Sequence, residues 1–120
     1  MASVIARKPS ILIYTHAADD KILKEICAGI EEEGVFYDIS EKEQTDVDRL
    51  AFEAAGESVL GSGIGISGTE AAFQMSRLPV GRNIMKYRLP DTEQCRLLGT
   101  NSARAVKREP LKEIDDRDRA

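Results

Sequence analysis

Tryptophan is absent from these 120 residues, and aromatic side chains make up only 5% of them. So few rings give no stacking platform for unpaired bases. His16 is the single histidine, and no oriented partner for general acid–base work is evident beside it in sequence. The two cysteines, Cys27 and Cys95, sit in separate helical patterns and form no metal-type cluster. Residues 1–8 lack the apolar core of a secretion signal, so both thiols read as reduced packing residues of a cytoplasmic protein. No stretch approaches the ~20 apolar residues of a membrane helix. A net charge of −4 removes the basic face that nonspecific nucleic-acid binding needs. There is no nucleophile elbow, no phosphate-binding lysine loop and no metal-ligand cluster. The chain therefore reads as a binding or assembly subunit with no catalytic residues.

What is present suits one globular domain: 42% apolar and 32% charged residues. Residues 10–14 are a short apolar run, a buried first strand. Asp19 or Asp20 caps a helix that runs to about Glu33, with Ile22, Leu23, Ile26, Cys27 and Ile30 on one stripe. Residues 35–39 form a second strand, completing the strand–helix–strand pattern of a parallel sheet. Thr45 or Asp46 caps a second helix, with Val47, Leu50, Ala51 and Ala54 inward and Gly56 at its end. Residues 58–66 form the third strand. Residues 70–75 have helix propensity, yet the short links on either side also allow an antiparallel strand. Residues 83–89 alternate as a strand. Asp91 or Thr92 caps a last helix to about Lys107, with Cys95, Leu98, Ser102 and Val106 inward. The architecture is a three-layer α/β/α sandwich. Residues 1–9 are an N-terminal extension, 10–111 the domain, and 112–120 a loose charged tail.

One stretch breaks a local rule. Glu31, Glu32 and Glu33 precede Gly34, the expected helix stop. The C-terminal end of a helix carries partial negative charge and favours cations. At roughly 100° per residue, Glu32 points about 150° from the apolar stripe, Glu31 sideways, and Glu33 borders the apolar face. Either the three acids are simply solvated, or a partner supplies the missing positive charge as a cation or a basic cluster.

Gly63, Gly65 and Gly68 match G-x-G-x-x-G. A dinucleotide fingerprint follows the first strand and opens a helix. These glycines lie in the third strand, where they allow another backbone or a partner to approach closely. His16 ends the first strand, a common ligand position in open α/β sheets. Asp19 and Asp20 offer acids for a flavodoxin-like signalling domain, but the third strand ends in Ser67 and Gly68 rather than an acid.

Three stretches carry a resemblance. They are residues 29–34 (Gly-Ile-Glu-Glu-Glu-Gly), the Gly63–Gly65 strand leading to Leu78 and Pro79, and residues 98–107 (Leu-Gly-Thr-Asn-Ser-Ala-Arg-Ala-Val-Lys). Together the chain resembles the small subunit of the reactivating factor for adenosylcobalamin-dependent glycerol and diol dehydratases. The resemblance implies a mixed, mostly parallel sheet of about five strands in the dehydratase medium-subunit, anticodon-binding-domain-like fold, with a strand at 69–75. It implies an actin-like ATPase as large subunit holding ATP or ADP, an α2β2 assembly, and subunit exchange with the dehydratase that releases damaged cobalamin. It implies that Glu32 donates to a Mg or Ca ion held by the large subunit, with Ala28, Glu31, Glu32 and Glu33 at the interface. The site would be cytoplasmic or within a bacterial microcompartment. Relatedness to dehydratase medium subunits leaves an accessory dehydratase subunit as the alternative. Many family members carry Asp-Gly after the first strand; here the loop is Thr15, His16, Ala17 and Ala18.

Overall fold

The computed structural model describes residues 8–113; the expectations for residues 1–7 and 114–120 lie outside that span. Strands and helices follow in the order β1 (Ile11–His16), α1 (Asp20–Glu32), β2 (Tyr37–Glu41), α2 (Val47–Glu57), β3 (Ser62–Ser67), β4 (Glu70–Met75), β5 (Met85–Arg88) and α3 (Thr92–Val106). Each helix opens on an aspartate. Asp19 accepts from the Ile22 amide, Asp46 from Asp48, and Asp91 from Gln94. The Gln94 side chain returns the bond to the Asp91 amide, so α3 starts with a reciprocal cap that satisfies two backbone donors.

The sheet order is β2-β1-β3-β4-β5. β1 runs parallel to β2 and β3, while β4 is antiparallel to β3 and β5. Ile11, Ile13, Ile64, Ile66, Ala71 and Phe73 turn one sheet face toward Ile22, Ile26 and Ile30 of α1 and Leu98 of α3. Tyr14 meets Leu50 and Ala54 on the other face, and Ala72 meets Val47 and Ala51, all four on α2. The result is the expected three-layer α/β/α sandwich with a mixed five-stranded sheet.

β4 resolves the ambiguous segment. Gly68, at φ +57°, and Thr69 make the whole turn from β3, and Ser67 pairs with Glu70. So tight a return leaves no room for a helix, and burial on both faces overrides the helix propensity of Glu70, Ala71 and Ala72. Several boundaries differ from expectation, and β5 is shorter, at Met85–Arg88. β1 reaches His16, and β2 begins at Tyr37. α2 runs through Gly56 to Glu57. β3 begins only at Ser62, because Ser58 ends α2 and its hydroxyl donates to the Ser10 carbonyl.

The glycines of β3 have a packing reason. A Cβ at Gly63 would stand 2.0 Å from the Ala55 nitrogen, and one at Gly65 would stand 2.5 Å from the Ala51 nitrogen. The backbone that approaches β3 is therefore that of α2, and the fingerprint-like spacing serves helix-on-sheet contact.

Candidate functional site: the seam between α1 and α3

α1 and α3 cross backbone to backbone. A Cβ on Gly29 would stand 2.3 Å from the Arg96 carbonyl oxygen, and one on Gly99 would stand 2.0 Å from that of Ile26. Side chains one or two turns either side of this crossing must therefore meet. Apolar ones fill the core, and where charged ones meet, those of α1 are acids and those of α3 are cations.

Glu32 accepts from Arg96 Nη1 at 3.1 Å, while Arg96 Nε donates to Glu25 Oε1 at 2.8 Å. Glu33 accepts from Lys107 Nζ at 2.8 Å, and Arg104 Nη1 lies 3.6 Å from its other oxygen. Glu31 accepts from the Tyr37 hydroxyl at 2.6 Å. The positive charge that the sequence left missing at the end of α1 thus comes from the chain's own α3.

The three glutamates differ in exposure. The Glu32 side chain is 60% exposed and that of Glu33 only 13%, as the helix geometry predicts. The hydrogen bond from Lys107 holds the Glu33 carboxyl below the usual range against the opposing effect of burial, with Lys107 and Arg104 charges adding to it. The same bond raises Lys107. Glu31 raises the Tyr37 phenol, first by its hydrogen bond and then with help from burial.

Ala28 and Glu31 line a shallow groove with Leu23, Cys27, Tyr37 and Ile39, between α1 and the edge strand β2. The seam therefore divides the expected interface set. Ala28 and Glu31 border the groove, Glu32 stands outward, and Glu33 is turned onto α3.

Sequence reading missed Arg96, Glu25 and Tyr37. The available signal was the helical spacing of Arg96, Gly99 and Thr100 on α3 against Glu25, Gly29 and Glu32 on α1. His16 stands apart from this cluster. Its Nδ1 lies 2.9 Å from the Lys42 carbonyl oxygen, and its own carbonyl accepts from the Gly68 amide. Among the described residues, no group of three or more His, Cys, Asp or Glu side chains could hold a metal ion. Nor is any helix among them long and apolar enough to cross a membrane.

The family model for the dehydratase medium subunit matches residues 8–112. The chain is 34% identical over 106 residues to the propanediol dehydratase-reactivating factor small subunit of Citrobacter freundii, covering 88% of this chain and 91% of that protein. A solved diol dehydratase-reactivating factor complexed with ADP and Mg2+ matches with a TM-score of 0.83 and 28% identity, over 89% of this chain and 100% of that one. A glycerol dehydratase reactivase matches with a TM-score of 0.84 and 29% identity, over 88% and 98%.

Proposed function

The chain belongs to the family of dehydratase-reactivating factor small subunits, within the wider dehydratase medium-subunit family, and from that premise we propose that it serves as the small subunit of an ATP-dependent, chaperone-like reactivating factor. Its target is an adenosylcobalamin-dependent glycerol or diol dehydratase in the cytoplasm or in a microcompartment. The observation that carries this reading is full-length agreement. The chain spans 91% of the Citrobacter small subunit and 98–100% of the solved reactivase chains.

On this reading the chain is non-catalytic. A large ATPase subunit binds the nucleotide, the two subunits form an α2β2 assembly, and the small subunit leaves so that the dehydratase can exchange in and release damaged cobalamin. The seam provides the contact. Glu31 and Glu32 are both exposed, but Glu31 is bonded to Tyr37 beside the groove, whereas Glu32 stands outward with its Oε2 held by Arg96. A hard divalent cation takes carboxylate oxygens, so Glu32 fits as a single ligand to Mg2+ or Ca2+. The described residues offer no cluster that could enclose the ion, so the remaining ligands would come from the large subunit. Ala28 and Glu31 extend the contact along the groove, and Glu33 braces the helix end behind it.

The test is titration of the wild-type chain and Glu32→Gln against the purified large subunit, with Mg2+ and with chelator. Glu32→Gln should weaken binding by roughly one to three decades, the scale of losing one partner of a shielded charge pair. Chelation should weaken the wild type and add little to the variant. Equal affinities would overturn the role of Glu32. Failure of the large subunit to bind the wild-type chain at all would overturn the assignment.

A further inference from the structure

Glu25, Arg96 and Glu32 form one continuous line of charge over the helix crossing. Arg96 is fixed at both ends. Its carbonyl packs on Gly29, where there is no room for a Cβ, and its Nε is tied to Glu25, whose side chain is 18% exposed. From that anchorage Nη1 reaches Glu32 Oε2 at 3.1 Å. Oε1 of Glu32 has no hydrogen bond within the described residues.

We propose that Arg96 is a positioning residue that presents Glu32 to the divalent cation of the intersubunit contact, with Glu25 as the counter-charge that permits it. The inference rests on the reading of Glu32 given above. A glutamate on the last turn of a helix samples several rotamers, and ligating a cation costs it that freedom. The guanidinium is a rigid planar fork, so anchoring one edge at Glu25 fixes the direction of the other. Glu32 is thereby held through one oxygen, and the other is left for the ion. Carboxylates that bind metals are commonly fixed in this way by an outer hydrogen bond.

Charge decides whether Arg96 helps or competes. A bare guanidinium beside a divalent cation would repel it. Glu25 cancels that charge at 2.8 Å, so the three groups carry a net single negative charge, which remains on Glu32. A latch that competed with the ion would have no need of Glu25.

The experiment titrates the full chain against the large subunit in Mg2+ and in chelator, using wild type, Arg96→Gln, Arg96→Lys, Glu32→Gln and the Arg96→Gln/Glu32→Gln double variant. Arg96→Gln should lose roughly 10- to 100-fold in affinity in Mg2+, the usual scale for an outer-shell partner. It should lose little in chelator, and little beyond Glu32→Gln in the double variant. Arg96→Lys, which keeps the charge and one donor, should recover part of the loss. An equal loss in Mg2+, in chelator and in the Glu32→Gln background would make Arg96 a structural residue and overturn the proposal. Tighter binding by Arg96→Gln in Mg2+ would make it a competitor and also overturn it. A wild type indifferent to chelation would overturn the reading of Glu32 itself, and the role of Arg96 with it.

Discussion

Lys107 Nζ donates twice to Glu33, to the carboxylate Oε1 at 2.8 Å and to the backbone carbonyl oxygen at 2.9 Å. The last turn of α3 thus closes the last turn of α1. One ammonium satisfies a terminal carbonyl and offsets an acid that the helix dipole disfavours. Arg104 stands on the second carboxylate oxygen and ties both helix ends to Glu109.

Adjacent glutamates should therefore differ in how much they contribute to stability. Glu33→Gln removes a charged hydrogen-bond partner at a largely covered position, and the free chain should melt roughly 3 °C lower at neutral pH. Glu32→Gln removes an ion pair between two exposed side chains and should change stability by less than about 0.5 kcal/mol. Thermal melts of the two variants decide it. Equal effects would mean that the seam does not distinguish the two positions.

The crossing makes a second prediction. Gly29→Ala and Gly99→Ala would each drive a methyl group into backbone of the facing helix, at 2.3 and 2.0 Å. Neither helix can yield without breaking its packing, so each change should cost about 1–3 kcal/mol or more. Gly56 is the control. It lies within α2, and a methyl group added there would meet nothing within 4 Å. Gly56→Ala should stabilise by about 0.5–1 kcal/mol. Urea unfolding of the three variants measures these differences.

The contrast between Gly29 and Gly56 also marks what sequence reading could reach. Periodicity exposed the α1 stripe of Ile22, Ile26 and Ile30, and capping chemistry located Asp19, Asp46 and Asp91. These signals are local, and the strands and helices they define stand close to where they were expected. Glu70 to Met75 stay open between helix and strand on propensity and link length alone, because burial on two faces is a property of the sheet. The carboxylates of α1 were legible as an anomaly. Their partners were not, because Arg96 and Lys107 lie far along the chain and are brought over α1 only by the Gly29–Gly99 contact. The outward direction of Glu32 was read correctly, since it follows from helix rotation alone.

Asp48 gives the chain a pH dependence whose sign can be worked out. Burial pushes its carboxyl up, but the hydrogen bonds from Asn83 Nδ2 at 2.8 Å and Lys86 Nζ at 3.0 Å outweigh that and hold it below the ordinary 3.8. A depressed carboxyl contributes stability that is fully present above its unfolded value and lost as pH falls through its folded value. Wild type should exceed Asp48→Asn by about 1 kcal/mol at pH 7. The gap should begin to close below about pH 4 and vanish at lower pH. Urea midpoints from acid to neutral pH test this; a gap that widens on acidification would contradict the sign.

The two thiols supply a probe of the same packing. Cys95 is 2% exposed under the start of α3, and burial, with Asp91, Glu25 and Asp19 adding to it, pushes its thiol up to about 11. Cys27 is 7% exposed on α1 and is also raised by burial, but it borders the groove beside Ala28 and Tyr37. Alkylation requires the thiolate and access to it, and the fold withholds both from Cys95. At about pH 8 an alkylating reagent should therefore modify Cys27 slowly and Cys95 more slowly still, while both react at once in denaturant. If reaction of Cys95 requires unfolding, its rate should rise in Gly99→Ala, whose crossing is loosened one turn away. If the large subunit binds across the groove as proposed, it should slow Cys27 and leave Cys95 unchanged, a difference that peptide mass mapping resolves residue by residue. Fast modification of Cys95 in the native chain would mean that α3 does not pack on α1 as described.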